Sequence, residues 1–181
     1  MQVPDTKVAE LVDGELFVSP RPASPQAHAA SCMGSDLFGP FHRAPGAPGA
    51  PGGWWILLEP ELHFRDDVLV PDWAGWRRER LPVLRDVPYF ELAPDWICEI
   101  VSPSTGRLDR SRKMRVYARE GVAHAWLVDP LVRTLEAYRL GDGLWTLEAV
   151  HAADDLVRVA PFDAIELALD RWWLPEEPAG S

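Results

Sequence analysis

Asp72, Glu99 and Lys113 are the residues of this chain whose types and settings could do chemistry. Glu99 sits inside Trp96-Ile97-Cys98-Glu99-Ile100-Val101, a run that is apolar at every other position. An ionised carboxylate in such a run costs several kcal/mol, roughly, unless a counter-charge or a metal replaces its hydration. Asp72 follows the apolar segment Val68-Leu69-Val70-Pro71. Two carboxylates on neighbouring strands can share a hard cation such as Mg2+ or Mn2+, with water completing the coordination. Water held in this way becomes a nucleophile near neutral pH. An ammonium beside it can orient that water and offset charge developing on a phosphoryl group. Together these are the parts of a metal-dependent phosphodiesterase.

Lys113 stands out by rarity. The chain has sixteen Arg and only two Lys, the other being Lys7. Lys113 lies among Arg110, Arg112 and Arg115, where a compact point charge differs from a guanidinium in what it can do. A structural alternative exists for all three residues. Glu99 could pair with Lys113 or an Arg, and Asp72 could close a turn after Pro71. Judged on spacing alone, this ion-pair network carries slightly more weight. Other chemistries find less support. His28, His42, His63, His124 and His151 show no paired ligand spacing, and Cys32 and Cys98 make no zinc site. There is no nucleophile elbow and no phosphate-binding glycine loop. His28 reads as a packing or surface residue, and Glu59 and Glu61 as solvent-facing.

The elements that must position these residues suggest an α/β domain. Residues 8–19 predict a hairpin turning at Asp13-Gly14. Ser24 reads as an N-cap and Pro25 as the first residue of a helix with apolar positions at Ala27, Ala30, Met33, Leu37, Phe38 and Phe41. Residues 44–53, three Ala-Pro-Gly units and a Gly, predict a loop. A strand beginning at Trp54 is interrupted at Pro60. Residues 68–76 predict the next strand, and residues 96–101 one buried on both faces. Asp109 reads as the N-cap of a helix over 110–120 that Gly121 ends. Met114, Tyr117 and Ala118 form its apolar stripe, with Lys113 at the border leaning toward the sheet. A strand over 125–130 follows, then a hairpin around 141–143 and short strands at 156–159 and 165–167. Residues 1–175 are expected to form one domain, and 176–181 a disordered acidic tail.

Composition is that of a globular protein, 47% hydrophobic and 25% charged. The net charge of -10 argues against a protein that coats nucleic acid nonspecifically. Charge is uneven: residues 77–119 carry a net +4, and the chain from 120 onward carries -8. The basic residues are expected mostly to form a solvated face, with room for a local groove. No signal-peptide pattern and no membrane-length apolar run is present, so a reducing, cytoplasmic setting with no membrane partner is expected.

Taken together, these residues resemble a known family. Val70-Pro71-Asp72, then Ala93 to Thr105 around Glu99, then Asp109, Lys113, Tyr117-Ala118-Arg119-Glu120-Gly121-Val122 and Trp126-Leu127-Val128-Asp129-Pro130 are similar to the Uma-type restriction endonucleases of bacteria. Leu11 to Glu15, Ser19-Pro20 and His28 also fit that pattern. The family lies within the PD-(D/E)XK nuclease superfamily. The resemblance implies a restriction-endonuclease-like core: a mixed central sheet flanked by helices, with an N-terminal hairpin and additional C-terminal strands. It implies Asp72 and Glu99 as metal ligands and Asp72, Glu99 and Lys113 as catalytic residues. The superfamily Lys would fall at Val101, and the resemblance has Lys113 replace it from the following helix. Asp95, a second Pro-Asp residue, ranks below Asp72 because it precedes the strand that carries Glu99. The expected function is a Mg2+- or Mn2+-dependent endonuclease acting on DNA, as a homodimer because two strands require two sites. The rival is an inactive nuclease-fold module that binds nucleic acid or a protein partner.

Overall fold

The buried strand expected around Glu99 is the centre of the molecule. In the computed structural model, which describes residues 7–46 and 48–175, Trp96–Ile100 (β7) is buried at every position. The expected tail, 176–181, lies outside the described residues. Around β7 runs a six-stranded sheet in the order β10-β9-β8-β7-β6-β3. Its strands are Trp54–Leu58 (β3), Trp73–Arg77 (β6), β7, His124–Asp129 (β8), Thr134–Gly141 (β9) and Leu144–Ala152 (β10). Only β7 and β8 run parallel; the other neighbours are antiparallel. A parallel pair needs a long crossover. That crossover is the helical segment of Gly106–Leu108 (α2), a π-helical turn over Asp109–Lys113, and Met114–Arg119 (α3).

Each face of this sheet has its own core. Successive side chains of a strand point to opposite faces. Trp96, Cys98 and Ile100 therefore face the long helix Ser24–Phe41 (α1), with its buried Ala29, Met33, Leu37 and Phe41. Phe162 and Trp172, from the C-terminal part, fill the same side; there Leu156–Val157 (β11) pairs with Leu167–Ala168 (β12) before a 3-10 turn over Leu169–Trp172. Ile97 and Val101 face the α2–α3 side, with Met114, Val116 and Tyr117. By the same alternation Glu99 belongs to that second face.

A second sheet, in the order β2-β1-β5-β4, covers the α2–α3 side. It consists of Lys7–Val12 (β1), Glu15–Pro20 (β2), Leu62–Phe64 (β4) and Asp67–Leu69 (β5). Asp13 and Gly14 both take positive φ, 51° and 75°, as the two-residue turn of a twisted hairpin requires. Asp142 and Gly143 repeat the device between β9 and β10.

Three expectations are corrected. The segment 68–76 is not one strand. Its first half is β5 of the small sheet and its second half is β6 of the large one, because Pro71 cannot donate to a ladder and the chain turns there. Asp72 occupies that corner. The run from Trp54, by contrast, breaks at Pro60 as expected, into β3 and β4, which belong to different sheets. Helix starts also shift. Ala23, not Ser24, is the N-cap of α1. The second helical segment starts at Gly106, so Asp109 lies inside it, buried, and does not cap its start. The loop 44–53 ends tied to α1, with Gly52 and Gly53 N–H donating to Pro40 O and Arg43 O at 3.0 and 2.8 Å. Among the described residues, no helix is long and apolar enough to cross a membrane.

Gly34 sets how closely α1 approaches the Asp72 corner. A Cβ there would lie 2.4 Å from Cζ2 of Trp73, the residue after Asp72. Gly34→Ala should gain roughly 1 kcal/mol of helix propensity and lose more, about 1–3 kcal/mol, to overpacking. The expected net result is a lower midpoint in urea with an unchanged m-value; a raised midpoint would contradict this packing.

Candidate active site

The ladder between β6 and β7 ends where the candidate site begins. Its last pair is Trp73 opposite Cys98, so one step further sets Asp72 opposite Glu99. Side chains at directly opposed positions share a face. At this step the Asp72 side chain substitutes for the strand: its Oδ2 accepts the Ile100 N–H at 2.6 Å. The turn at Pro71 thus converts a lost backbone partner into a carboxylate held against the end of β7.

Glu99 is 2% exposed, and two donors converge on one of its oxygens. Tyr117 Oη donates to Oε1 at 2.6 Å, and Lys113 Nζ lies 2.9 Å from the same Oε1. Lys113 is equally buried, and it also pairs with Glu10 Oε1 at 2.8 Å and Asp109 Oδ1 at 3.6 Å. Asp109, Lys113 and Tyr117 recur every fourth residue, so one helical face presents all three toward β7. The π-helical turn falls on the first two of them, Asp109–Lys113, a placement such turns often take at functional sites.

Glu10 arrives from the hairpin. Besides Lys113, its Oε1 accepts the Val70 N–H at 2.8 Å, just before the Pro71 turn. One cavity of about 240 Å3 is lined by Glu10, Asp72, Glu99, Asp109 and Lys113. Its rim includes Ser102, Ser104 and Thr105 after β7 and Gln26 of α1, whose Nε2 reaches Val101 O at 3.4 Å. Glu59 also lines it and pairs with Arg21 at 2.7 Å, so Glu59 is a rim residue, not a freely solvated one. Glu61 stays outside the cavity lining, bonded to His63 at 2.6 Å.

Burial dominates the electrostatics. Desolvation lifts the Asp72 carboxyl from 3.8 to about 7; the Ile100 N–H and Lys113 oppose it, while Asp109 and Glu59 add to it. Desolvation likewise pushes Glu99 and Asp109 up, against the pull of Lys113. For Lys113, desolvation works to lower the pKa, but the carboxylates around it, Glu99 above all, then Glu10 and Asp109, outweigh it and keep the group an ammonium. Tyr117 is pushed up by burial first and by Glu99 second, so it remains a donor.

The residues singled out from sequence are thus brought together: Asp72, Glu99 and Lys113 line one cavity. Val101, where the superfamily Lys would stand, is an apolar core residue 5% exposed, packed with Ile97 and Met114. Asp95 lies elsewhere, accepting the Arg77 N–H at 2.8 Å and pairing with Arg80. Glu10, Asp109 and Tyr117 were not identified as site residues from sequence. Glu10 is flanked by apolar residues of a short hairpin strand, a weaker signal than the long apolar run around Glu99. Asp109 and Tyr117 had their four-residue spacing from Lys113.

The basic segment is largely committed to internal pairing. Arg112 and Arg115 pair with Glu15 and Asp13 of the hairpin, at 2.5 and 3.2 Å. Arg119 pairs with Asp67 at 2.7 Å, and Arg110 with Glu136 at 2.6 Å. Arg77 and Arg78 instead stack on Trp54 and Trp55, with guanidinium carbons 4.5 and 3.5 Å from the ring centroids.

Among the described residues, no three His, Cys, Asp or Glu side chains form a ready metal cage. The donor set still fits a hard divalent cation. Mg2+ is typically held by one or two carboxylates and keeps several waters, and here two carboxylates face one cavity that has more acid than base.

The fold has a counterpart among solved structures. A protein described as "a putative nuclease belonging to DUF820 from Anabaena variabilis ATCC 29413" superposes with a TM-score of 0.73 at 22% identity, covering 95% of this chain and 93% of that one. No curated protein matches the chain. The Uma2 family, described as "Putative restriction endonuclease", matches residues 1–170. The match spans the four-stranded, six-stranded and two-stranded sheets, both helical layers and every residue of the cavity, and the chain belongs to that family.

Proposed function

We propose that this protein is a divalent-metal-dependent nuclease that hydrolyses DNA phosphodiester bonds at the cavity between Asp72 and Glu99. The observation that carries the reading is the surplus of carboxylate. Glu10, Asp72, Glu99 and Asp109 line the cavity against one Lys, with Arg21 at the rim already paired to Glu59. A structural ion-pair core would be expected to balance its charges, because each uncompensated buried carboxylate is costly. A site that takes up a cation gains from leaving them unbalanced.

On this reading Asp72 and Glu99 would hold Mg2+ or Mn2+, with Glu10 beside them. When bound, the cation would supply positive charge at the phosphate and ease the ionisation of water. The chain's own residues do the rest. Lys113, held in place by Glu10, Glu99 and Asp109, presents its ammonium at the attacking water and offsets charge on the phosphoryl oxygens. The Ile100 N–H keeps Asp72 turned into the cavity. Cutting both strands of a duplex takes two such sites, which a two-fold homodimer supplies.

A second reading, a nuclease-fold module without catalysis, is favoured by Lys113 itself. Its ammonium already touches two of the carboxylates at 2.8 and 2.9 Å and so acts as an internal counter-ion. Calorimetric titration separates the readings: saturable binding of Mn2+ supports the nuclease, and no binding at millimolar concentration supports the module.

Two outcomes are expected. Purified protein should nick or linearise plasmid DNA with Mg2+ or Mn2+, and Glu99→Gln and Lys113→Met should each lower the rate by at least about 100-fold. Cleavage unchanged in Glu99→Gln refutes the assignment. The second outcome concerns stability without metal. Asp72 binds its proton more tightly folded than unfolded, because its carboxyl is raised to about 7 from 3.8. That contribution is fully present below pH 3.8 and is lost as pH rises through about 7. With EDTA at pH 8, Asp72→Asn should therefore be more stable than wild type by roughly 2–4 kcal/mol, a gap that closes toward pH 4. Equal stability of the two proteins across that range would show that Asp72 carries no such strain.

A further inference from the structure

Tyr117 has a hydroxyl that packing alone does not require. Its ring is fully buried among Ile97, Val101 and Met114, where Phe would fill the same space. The hydroxyl instead makes one short bond, to Glu99 Oε1 at 2.6 Å. Lys113 Nζ takes the same oxygen at 2.9 Å from the neighbouring turn. Two donors on one carboxylate oxygen fix both the rotamer and the plane of the group. They also leave Oε2 as the oxygen on which a cation can act without breaking either bond.

We propose that Tyr117 is the positioning residue of the metal site: with Lys113 it locks Glu99 through Oε1 and so presents Oε2 to the cavity. The inference rests on the nuclease reading above and adds to it a residue that does not touch metal or substrate. Groups bonded to a ligating carboxylate typically change metal affinity by about 10–100-fold when removed, because the ligand must then be ordered on binding. One further feature matches this role. The backbone of its helix is anchored one turn earlier by the Trp145 Nε1–H bond to Met114 O at 2.8 Å, so the hydroxyl is aimed from a fixed base.

Tyr117→Phe removes the hydroxyl and keeps the ring, and its melting temperature without metal reports whether the fold is kept. The test is calorimetric titration of wild type and Tyr117→Phe with Mn2+ alone, followed by plasmid cleavage as a function of Mn2+ concentration. The expected result is one site in both proteins, bound about 10–100-fold more weakly by the variant. Cleavage by the variant should need correspondingly more Mn2+ and approach the wild-type rate at saturation. A purely structural hydroxyl would lower the melting temperature without moving the Mn2+ affinity, and that result overturns the proposal. If wild type binds Mn2+ and the variant binds it equally, only the role of Tyr117 fails. If wild type binds none, the metal site fails, and the positioning role with it.

Discussion

The structure depends on keeping the Glu99 carboxylate out of water. A charge in the central strand of a six-stranded sheet has no solvent to stabilise it, so the surrounding elements must supply donors. The α2–α3 crossover answers with Lys113 and Tyr117. Lys113 is then itself a buried charge, and it draws in Glu10 from the hairpin and Asp109 from its own helix. Each solution creates the next requirement, until the network reaches the cavity at Asp72.

This chain of requirements explains the placement of the small sheet. The hairpin β1–β2 could cover the α2–α3 side through apolar contacts alone, with Val12 in the shared core. Instead Glu10 is threaded to Lys113 and the Val70 N–H, while Asp13 and Glu15 grip Arg115 and Arg112 outside. The outer pairs are exposed and individually worth little, roughly 0–1 kcal/mol. Their effect is registration. They tie the hairpin turn to the helix whose Lys113 receives Glu10 from the same hairpin. The same pairing removes most of the helix arginines from the free positive surface. On the nuclease reading, attraction for a phosphate at the cavity therefore has to come mainly from a bound cation and from Lys113.

Much of the buried charged cluster was legible because burial of charge is visible in a sequence. Glu99 in an apolar run and Lys113 as a rare Lys on a helix border were both exposed by their neighbours. What hid Glu10 was context: a carboxylate in a short hairpin strand is ordinarily on the wet face, and nothing local says that another sheet covers it. Asp109 was hidden by a good competing explanation. Asp before a helical run is a strong cap pattern, but the helix started three residues earlier, at Gly106. Tyr117 was hidden by its ring, which belongs to the apolar stripe as expected, while its hydroxyl serves the polar network.

The sequence by itself determined the local alternation: which residues face in on β7, where the two tight turns fall, and that Glu99 must have a partner. These follow from periodicity, turn chemistry and the cost of a bare charge, all properties of a few consecutive residues. Only the tertiary structure decided who the partners are. Pro71 split an apparent single strand and set Asp72 opposite Glu99, and the parallel β7–β8 pair carried Lys113 and Tyr117 back over the sheet. The hairpin delivered Glu10 from about ninety residues away in the chain. Partners so distant are chosen by how sheets and helices stack, and local pattern contains no record of that.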